Sequence, residues 1–460
     1  MKITLIGFFA AVIGLSSSLS LPKLPSINMN LNGSMDRDAK TKKIDSKILN
    51  LVTPATLNII MHPIVGLVDG YWVSQLGGAV QLAGQGCGDQ AFSLAYNLAA
   101  FMPLVLTPIV AEYNSKEKRN SIIEFMNCAL FFSVIFGIST AVIFSLFSEN
   151  LIKVFLSVDS KVYGYAVTYL RYRSLAFPFV LVNNVIFSVL RGMMDFNSAL
   201  LVNVRSQVFN LVADPILMQM YGIKGVAIAS TISDIYCTFG YYNLLKKKNL
   251  IEFRLVNLFT NLKELLKDGI FVQMKNFCSN IIYFMMNKKI LSFDLDGKIS
   301  ATNIIILKVL ELFSILYDAL KSVSTIIIPN SFFNNLDTKR TSERLITFGA
   351  YISIVQSFLL LFLNNGIKYF TSDLAVIEQF RKILPYIIAF SSFSGISVII
   401  DGILQGRKKF KLQTFNSVLF LISVLITIPF SQNLSHLWLG ITLFSLLRLP
   451  INFKFLEKVI

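Results

Sequence analysis

Charge is what this sequence has least of. Asp, Glu, Lys and Arg together make up 15% of its 460 residues, where soluble domains carry roughly a quarter. With a mean hydropathy of +0.64, that scarcity excludes a soluble globular protein and points to an integral membrane protein. Histidine is almost missing, at His62 and His436. The four cysteines, Cys87, Cys128, Cys237 and Cys278, form no CxxC pair or other metal spacing, so a metal centre is not expected and they read as small core residues. No Gly-rich phosphate loop is present, which argues against an ATP-driven pump. Beyond residue 47 the loops are short and hold no nucleophile constellation. Enzyme activity and a cofactor are therefore not expected, and a multi-pass membrane enzyme is the remote alternative. A net charge of +16 would suggest nucleic acid in a soluble protein. Here the basic residues cluster in short loops between apolar spans, so they read as topology signals and no nucleic-acid partner is expected.

What the chain does have is apolar spans. Residues 1–20 look like a secretory signal: Lys2, an apolar run Ile3 to Leu15, then S-S-S-L-S. Residues 21–47 read as a disordered leader or transit segment, similar to the bipartite addresses of proteins sent to plastids enclosed by extra membranes. Insertion into a plasma membrane or endomembrane is the competing reading. From Ile48 onward twelve spans follow, at 48–74, 88–111, 123–148, 163–190, 197–221, 223–245, 264–290, 299–330, 342–369, 376–403, 411–431 and 434–457. Basic residues at Lys40 to Lys47, Lys116 to Arg119, Lys246 to Lys267, Lys339/Arg340, Arg407 to Lys411 and Lys454/Lys458 gather on one side. The positive-inside rule makes that side cytoplasmic, or stromal in a plastid. The basic stretch 246–263 divides the spans six and six, into residues 48–245 and 264–460. The halves echo loosely: F-P-F and L-P-Y in the fourth and tenth spans precede the exits L-R-G and L-Q-G. Duplicated halves meeting at a cavity are a common plan for secondary transporters.

The polar residues inside the spans carry the chemistry. In the fifth span Asn203, Gln207, Asn210 and Asp214 share one helical face. A carboxylate at that depth is costly and must face a protein interior or a watery cavity, so Asp214 is either a polar clamp between helices or an ion site. The first span carries Asn58, His62 and Asp69 roughly along one face, with Pro54 and Pro63 as potential bending points. If the first and fifth spans pack together, Asp69 and Asp214 share a pocket and titrate as a coupled unit. For Asp69 the alternative is a cap on a bent helix end. In the second half Lys275, Lys308, Glu311, Asp318 and Lys321 are unusual at membrane depth. Spacing of i, i+3 allows Lys308/Glu311 and Asp318/Lys321 to neutralise each other. Alternatively Lys275, Lys308 and Glu311 face a substrate cavity. Asp401 lies near Arg407 and is expected to partner it.

Several stretches in one order carry a resemblance. They are V-D-G-Y-W-V-S-Q-L-G-G-A-V-Q-L-A-G after the first bend, Y-L-R-Y-R-S-L-A-F-P in the fourth span, L-R-G-M-M-D-F-N-S-A-L-L-V with N-L-V-A-D-P in the fifth, G-V-A-I-A-S in the sixth and D-G-I-L-Q-G in the tenth. Together they resemble the multidrug and toxic compound extrusion (MATE) family, in its DNA-damage-inducible F-like branch with plant and plastid members. The resemblance covers about residues 45–455 and is stronger in the first half. It implies an all-α polytopic membrane protein, with twelve transmembrane helices in two pseudo-symmetric six-helix lobes around a V-shaped central cavity. It implies a monomeric antiporter in the bilayer, exchanging a small organic substrate for H+ or Na+. The family's amino-terminal cation site matches Asp69, Asn210 and Asp214, with Pro54 as the helix hinge and Tyr169, Asn184, Ser230 and Thr231 in supporting positions. Where related proteins often have an aromatic, four residues before Asp69, this chain has Val65. A lipid-linked-precursor flippase of the same superfamily is the alternative; it would want a strongly basic central cavity.

Overall fold

The computed structural model describes residues 35–252, 256–294, 296–333, 337–369, 371 and 373–457. The chain divides into two compact units, Met1–Lys43 and Ile44–Ile460, and the lobes and their contacts all belong to the second. The described residues are helical throughout, with short turns between helices. The first half holds α1 (Met35–Ala99), α2 (Phe101–Ser115), α3 (Arg119–Leu146), the short α4 (Ser148–Lys153), α5 (Tyr163–Arg173), α6 (Phe177–Gly192), α7 (Phe196–Tyr221) and α8 (Ile223–Lys247). The second holds α9 (Leu258–Phe293), α10 (Lys298–Phe333), α11 (Thr338–Gly366), α12 (Leu374–Gly406), α13 (Phe410–Phe430) and α14 (Leu434–Glu457).

Among the described residues eight segments are long and apolar enough to cross a membrane. One of them, Thr41–Ser115, runs for 75 residues and holds two crossings, because α1 breaks at Gly78 (φ 73, ψ −179). A side chain is strained in that left-handed region, and glycine is not. The α7, α8 and α9 helices, with 26, 25 and 36 residues, are long enough to span at about 20 residues per crossing. Their lower hydropathy comes from polar residues, carried on the inner face of α7 and largely on the exposed face of α9. The sum is twelve crossings, in the two lobes of six that the fold class requires. The fourth crossing is itself two helices, α5 and α6, joined by a 3-10 turn at Ser174–Ala176. Pro178 explains the break, since it cannot donate to the turn before it. Pro385 sits inside a continuous α12, so the echo between the halves does not extend to a matching break.

Each half has its own apolar core. Met102, Leu106, Ile123, Val189 and Tyr241 centre the first; Ile290, Phe380, Ile387, Val424 and Trp438 centre the second. The α9 helix belongs to both, with Leu265 and Val272 in the first core and Met286 and Ile290 in the second. A third cluster, including Ile48, Ala111, Phe196, Leu320, Ile327 and Leu404, is the seam where the lobes meet. Polar ties reinforce that seam. Glu112 pairs with Lys408 at 2.7 Å, Arg344 holds Asp45 through two bonds of 2.7 and 2.5 Å, and Lys47 donates to Asn330 at 2.7 Å. Arg119 donates to the carbonyls of Lys248 and Asn249 at 2.7 and 2.6 Å. The basic segments thus collect at one end, as the orientation argument requires.

Two boundaries differ from expectation. The leader expected to be irregular through residue 47 is helical from Met35, consistent with the absence of Gly and Pro from residues 35–53; the signal and the rest of the leader, residues 1–34, lie outside the described residues. The inter-lobe loop expected to end at 263 gives way to helix at Leu258, because Leu258, Leu262 and Leu265 pack at helical spacing on the first core.

Asp195 fixes the entry into α7. Its carboxylate accepts from the Ser198 backbone N–H at 3.1 Å and pairs with Lys248 at 2.6 Å. Burial pushes this carboxyl up, but the Lys248 ammonium and the Ser198 donors outweigh it and hold the group below the usual carboxylate range. A depressed folded value means the stabilisation is present above the ordinary carboxylate pKa and fades as pH falls through the depressed one. Asp195→Ala is expected to cost about 1–2 kcal/mol, read as a lower Tm at neutral pH, with the gap to wild type closing as pH falls below the ordinary carboxylate range. A gap that stays constant through that fall would assign the loss to packing instead.

Candidate functional site

The polar face of α7 is where the first lobe turns inward. Asn210 and Asp214 are 3% and 0% exposed, one helical turn apart. The Asn210 Nδ2 atom donates to Asp214 Oδ2 at 3.0 Å and to Asp69 Oδ1 at 3.2 Å, so a single amide nitrogen bridges carboxylates from α7 and α1. The remaining oxygens, Asp214 Oδ1 and Asn210 Oδ1, are buried without a protein partner. The site therefore has acceptor capacity to spare and one donor shared between two carboxylates. The structure thus brings together Asp69, Asn210 and Asp214.

Two turns earlier the same face meets α1 again. Asn203 Nδ2 donates to Asn58 Oδ1 at 3.0 Å, and Asn58 Nδ2 donates to the carbonyl of Pro54 at 2.9 Å. Tyr241 of α8 closes the row by donating to Asn203 Oδ1 at 2.7 Å. Pro54 is thus tied by hydrogen bonds to the face that carries Asp214. The side chain of His62, placed near this row by its spacing, lies outside the described residues. Between these helices and α6 is a cavity of about 220 Å³, lined by Asn58, Asn184, Asn203, Gln207, Asp234 and Tyr241 among others. It begins one turn from Asn210.

The supporting residues take separate places. Tyr169 is buried and donates to Asp89 Oδ1 at 2.8 Å. The close approach needs Gly88, where a Cβ would lie 2.5 Å from the Tyr169 ring. Asn184 lines the cavity, while its Nδ2 bonds the Val180 carbonyl at 2.9 Å. Thr231 donates to Ala227 of its own helix at 2.8 Å, and Ser230 beside it is half-buried. Three charged residues that the motif reading passed over complete the layer. They are Asp89, and Arg173 paired with Asp234 at 2.7 Å. Asn183 Nδ2 bonds the Asp234 carbonyl at 2.9 Å, and Thr238 donates to Asn183 Oδ1 at 2.8 Å. Arg173 also lies 4.6 Å over the Phe92 ring. The signal was available, since an ionisable side chain within a span is a functional candidate by default.

The second lobe is built differently. Lys275 and Asp401 form an ion pair at 2.8 Å, with side chains 17% and 13% exposed. Arg407, the expected partner of Asp401, instead stacks 3.6 Å over the Phe332 ring. It lies beyond the helix end, on the next turn and face, whereas Lys275 reaches Asp401 from α9. Lys308 and Glu311 pair with each other at 2.8 Å on an exposed face, 73% and 68% accessible. The expected cavity of Lys275, Lys308 and Glu311 is therefore not one cluster. Asp318 accepts from Ser314 at 3.4 Å.

A protein with twelve membrane crossings and buried polar layers inside its lobes has the architecture of a secondary transporter. The MatE family model matches residues 54–216 and 275–431, and the chain belongs to that family of multidrug and toxic compound extrusion transporters. Protein DETOXIFICATION 43 of Arabidopsis thaliana is 26% identical, covering 87% of this chain and 88% of that protein. Protein DETOXIFICATION 44, chloroplastic, of Arabidopsis thaliana is 31% identical over 43% of this chain and 40% of its own length. The fold is also similar to that of a crystal structure of MATE in the bent conformation, superposing with a TM-score of 0.79 at 19% identity, over 93% of this chain and 97% of the other. The protein is thus an integral membrane efflux transporter, in a family of transporters rather than enzymes.

The Arg173–Asp234 pair gives a direct test of how the layer is held. Asp234→Leu leaves a guanidinium buried without its ion-pair partner and should cost about 3–5 kcal/mol. The double variant Arg173→Leu/Asp234→Leu should lose less than the sum of the two single variants, by a coupling energy of about 0.5–3 kcal/mol. Thermal unfolding of the purified proteins measures both, and additive losses would mean that the pair acts as two independent residues.

Proposed function

We propose that the chain is a cation-coupled antiporter, which expels a small organic substrate in exchange for H+, or Na+, through Asp69, Asn210 and Asp214. The observation that carries this reading is the single Asn210 amide nitrogen within 3.2 Å of two carboxylates, one of them fully buried. Two carboxylates around one donor in a dry site take up protons as a unit. An adjacent amide oxygen and carboxylate oxygen without partners would equally serve a small cation. The chain works as a monomer, with the first-lobe cavity as the space through which the ion site senses substrate. The leader, together with the chloroplastic relative, supports a plastid membrane as its home.

Coupling needs the ion to change the shape of the lobe, and Pro54 is where α1 can yield. Its missing N–H removes one helix bond, and Asn58 ties its carbonyl to the α7 row. With the carboxylates ionised, Asn210 has charged acceptors on both sides. Protonation changes which hydrogen bonds are possible, which releases α1 to bend and narrow the cavity.

Asp214→Asn and Asp69→Asn should each be inserted normally yet lose gradient-driven efflux from proteoliposomes down to background. The double variant should be little worse than either, as for groups acting as one unit. Wild-type rates in both single variants would remove the pair from the mechanism. Pro54→Ala should slow transport while spin labels on α1 and α7 lose their pH-dependent distance change. A wild-type distance that ignores pH would exclude the hinge, though not the coupling site.

A further inference from the structure

We propose that the groove between the first turns of α9 and the start of α13 binds an anionic phospholipid of the inner leaflet. The α9 helix has 36 residues and is about 54 Å long, far more than a hydrocarbon core of about 30 Å requires. Its first turns therefore stand at headgroup level, at the end of the molecule where the basic segments collect. Phe259, Lys263, Leu266, Lys267 and Ile270 share one helical face, with Phe259 84% and Ile270 59% exposed. Together with Lys411 of α13 they border a groove of about 480 Å³.

Among the described residues Lys263, Lys267 and Lys411 are in no ion pair, in contrast to Lys116, Lys248 and Lys408 nearby. Glu264 and Asp268 lie on an adjoining face of α9, where the Lys267 and Lys411 ammoniums act on Asp268, so three lysines facing two acids leave the rim net positive. Lys411 sits 5.5 Å over the Phe271 ring, which anchors it beside the apolar wall. Three cations at the rim match a phosphodiester, and the apolar wall below matches acyl chains. A soluble phosphate would satisfy the first feature and leave the second bare. Basic pockets between helices on the cytoplasmic side are recognised sites for anionic headgroups. This inference stands apart from the antiport reading, since none of its residues touches the Asp69–Asp214 layer.

The test uses the full chain, delipidated in neutral detergent, and fluorescent phosphatidylglycerol with phosphatidylcholine as the reference lipid. Phosphatidylglycerol should bind more tightly than phosphatidylcholine and resist displacement by inorganic phosphate. In Lys263→Ala/Lys267→Ala/Lys411→Ala its affinity should fall about 100-fold, toward that of phosphatidylcholine, and Lys263→Ala alone should weaken it about fivefold. The triple Lys→Arg variant should keep the preference. Undiminished phosphatidylglycerol binding by the alanine variants, or equal competition by free phosphate, would overturn the proposal. If the triple variant is not recovered, the single exposed Lys263→Ala decides by itself.

Discussion

The constraint on which the first lobe depends is that a carboxylate buried among apolar helices must be answered by the protein, because neither lipid nor water can do it. Asp214 is fully buried and is answered by one neighbour, Asn210, which at the same time reaches Asp69 across the helix interface. That double use fixes the distance between α1 and α7 and the rotation of both. Much of the first lobe is consistent with keeping them there. The backbone turns at Gly78, and Gly77 lets α1 approach the end of α7, where a Cβ would lie 2.6 Å from Met218. Asn203, Asn58 and Tyr241 repeat the same interlock two turns away. Paired serines 206 and 233 then lock α7 to α8 by exchanging bonds of 2.7 and 2.8 Å with each other's carbonyls.

The lobes solve the problem of buried charge in opposite ways. In the second lobe the acid at depth, Asp401, has a lysine directly opposite it. Around it Gln413 donates to the Asp401 carbonyl, and an arginine is held in a chain from Arg448 through Asn416 and Asn452 to Ser397. Such a pair, once formed, resists change, since removing either partner leaves an uncompensated charge. In the first lobe Asp69 and Asp214 meet an amide and each other, and the nearest ion pair, Arg173–Asp234, is already satisfied. Two neighbouring acids without a cation between them respond to any cation offered, whether a proton or a metal ion. In the proposed antiporter the lobe whose acids have no cation directly opposite would do the sensing, and the lobe with the closed pair would bear load.

How much of this was legible in the sequence follows from what each signal measures. Helices and their count were plain because long apolar runs report burial in lipid directly. Asp69, Asn210 and Asp214 could be grouped because i, i+4 spacing places Asn210 and Asp214 on one face and the family motifs pair the fifth span with the first. The Arg173–Asp234 and Lys275–Asp401 pairs were not, since each joins residues from helices whose adjacency no local pattern states. Asp401 shows the error in its plainest form. The nearest cation in the chain, Arg407, looked like its partner, yet a helix turns those two residues to different faces while packing brings in Lys275. The early start of α9 was hidden for a related reason. Lys263 and Lys267 lowered its hydropathy enough to resemble a loop, although Leu258, Leu262 and Leu265 already traced a buried stripe.

That stripe has a consequence for how the halves can move. Because α9 is one unbroken helix with its first turns in the first core and its last turns in the second, it cannot belong rigidly to both if the lobes separate at the seam. Gly269 sits where a Cβ would lie 2.2 Å from the Phe101 ring, so that ring lodges against the α9 backbone and ties this stretch of α9 to the first lobe. The ion pairs beside it, Glu112 with Lys408 and Asp45 with Arg344, lie at the membrane edge, where water can replace each partner as it leaves. In the proposed antiporter the lobes would therefore part where α9 passes from the first core to the second, with exchange of edge ion pairs, while the dry interlock of α1 with α7 decides when.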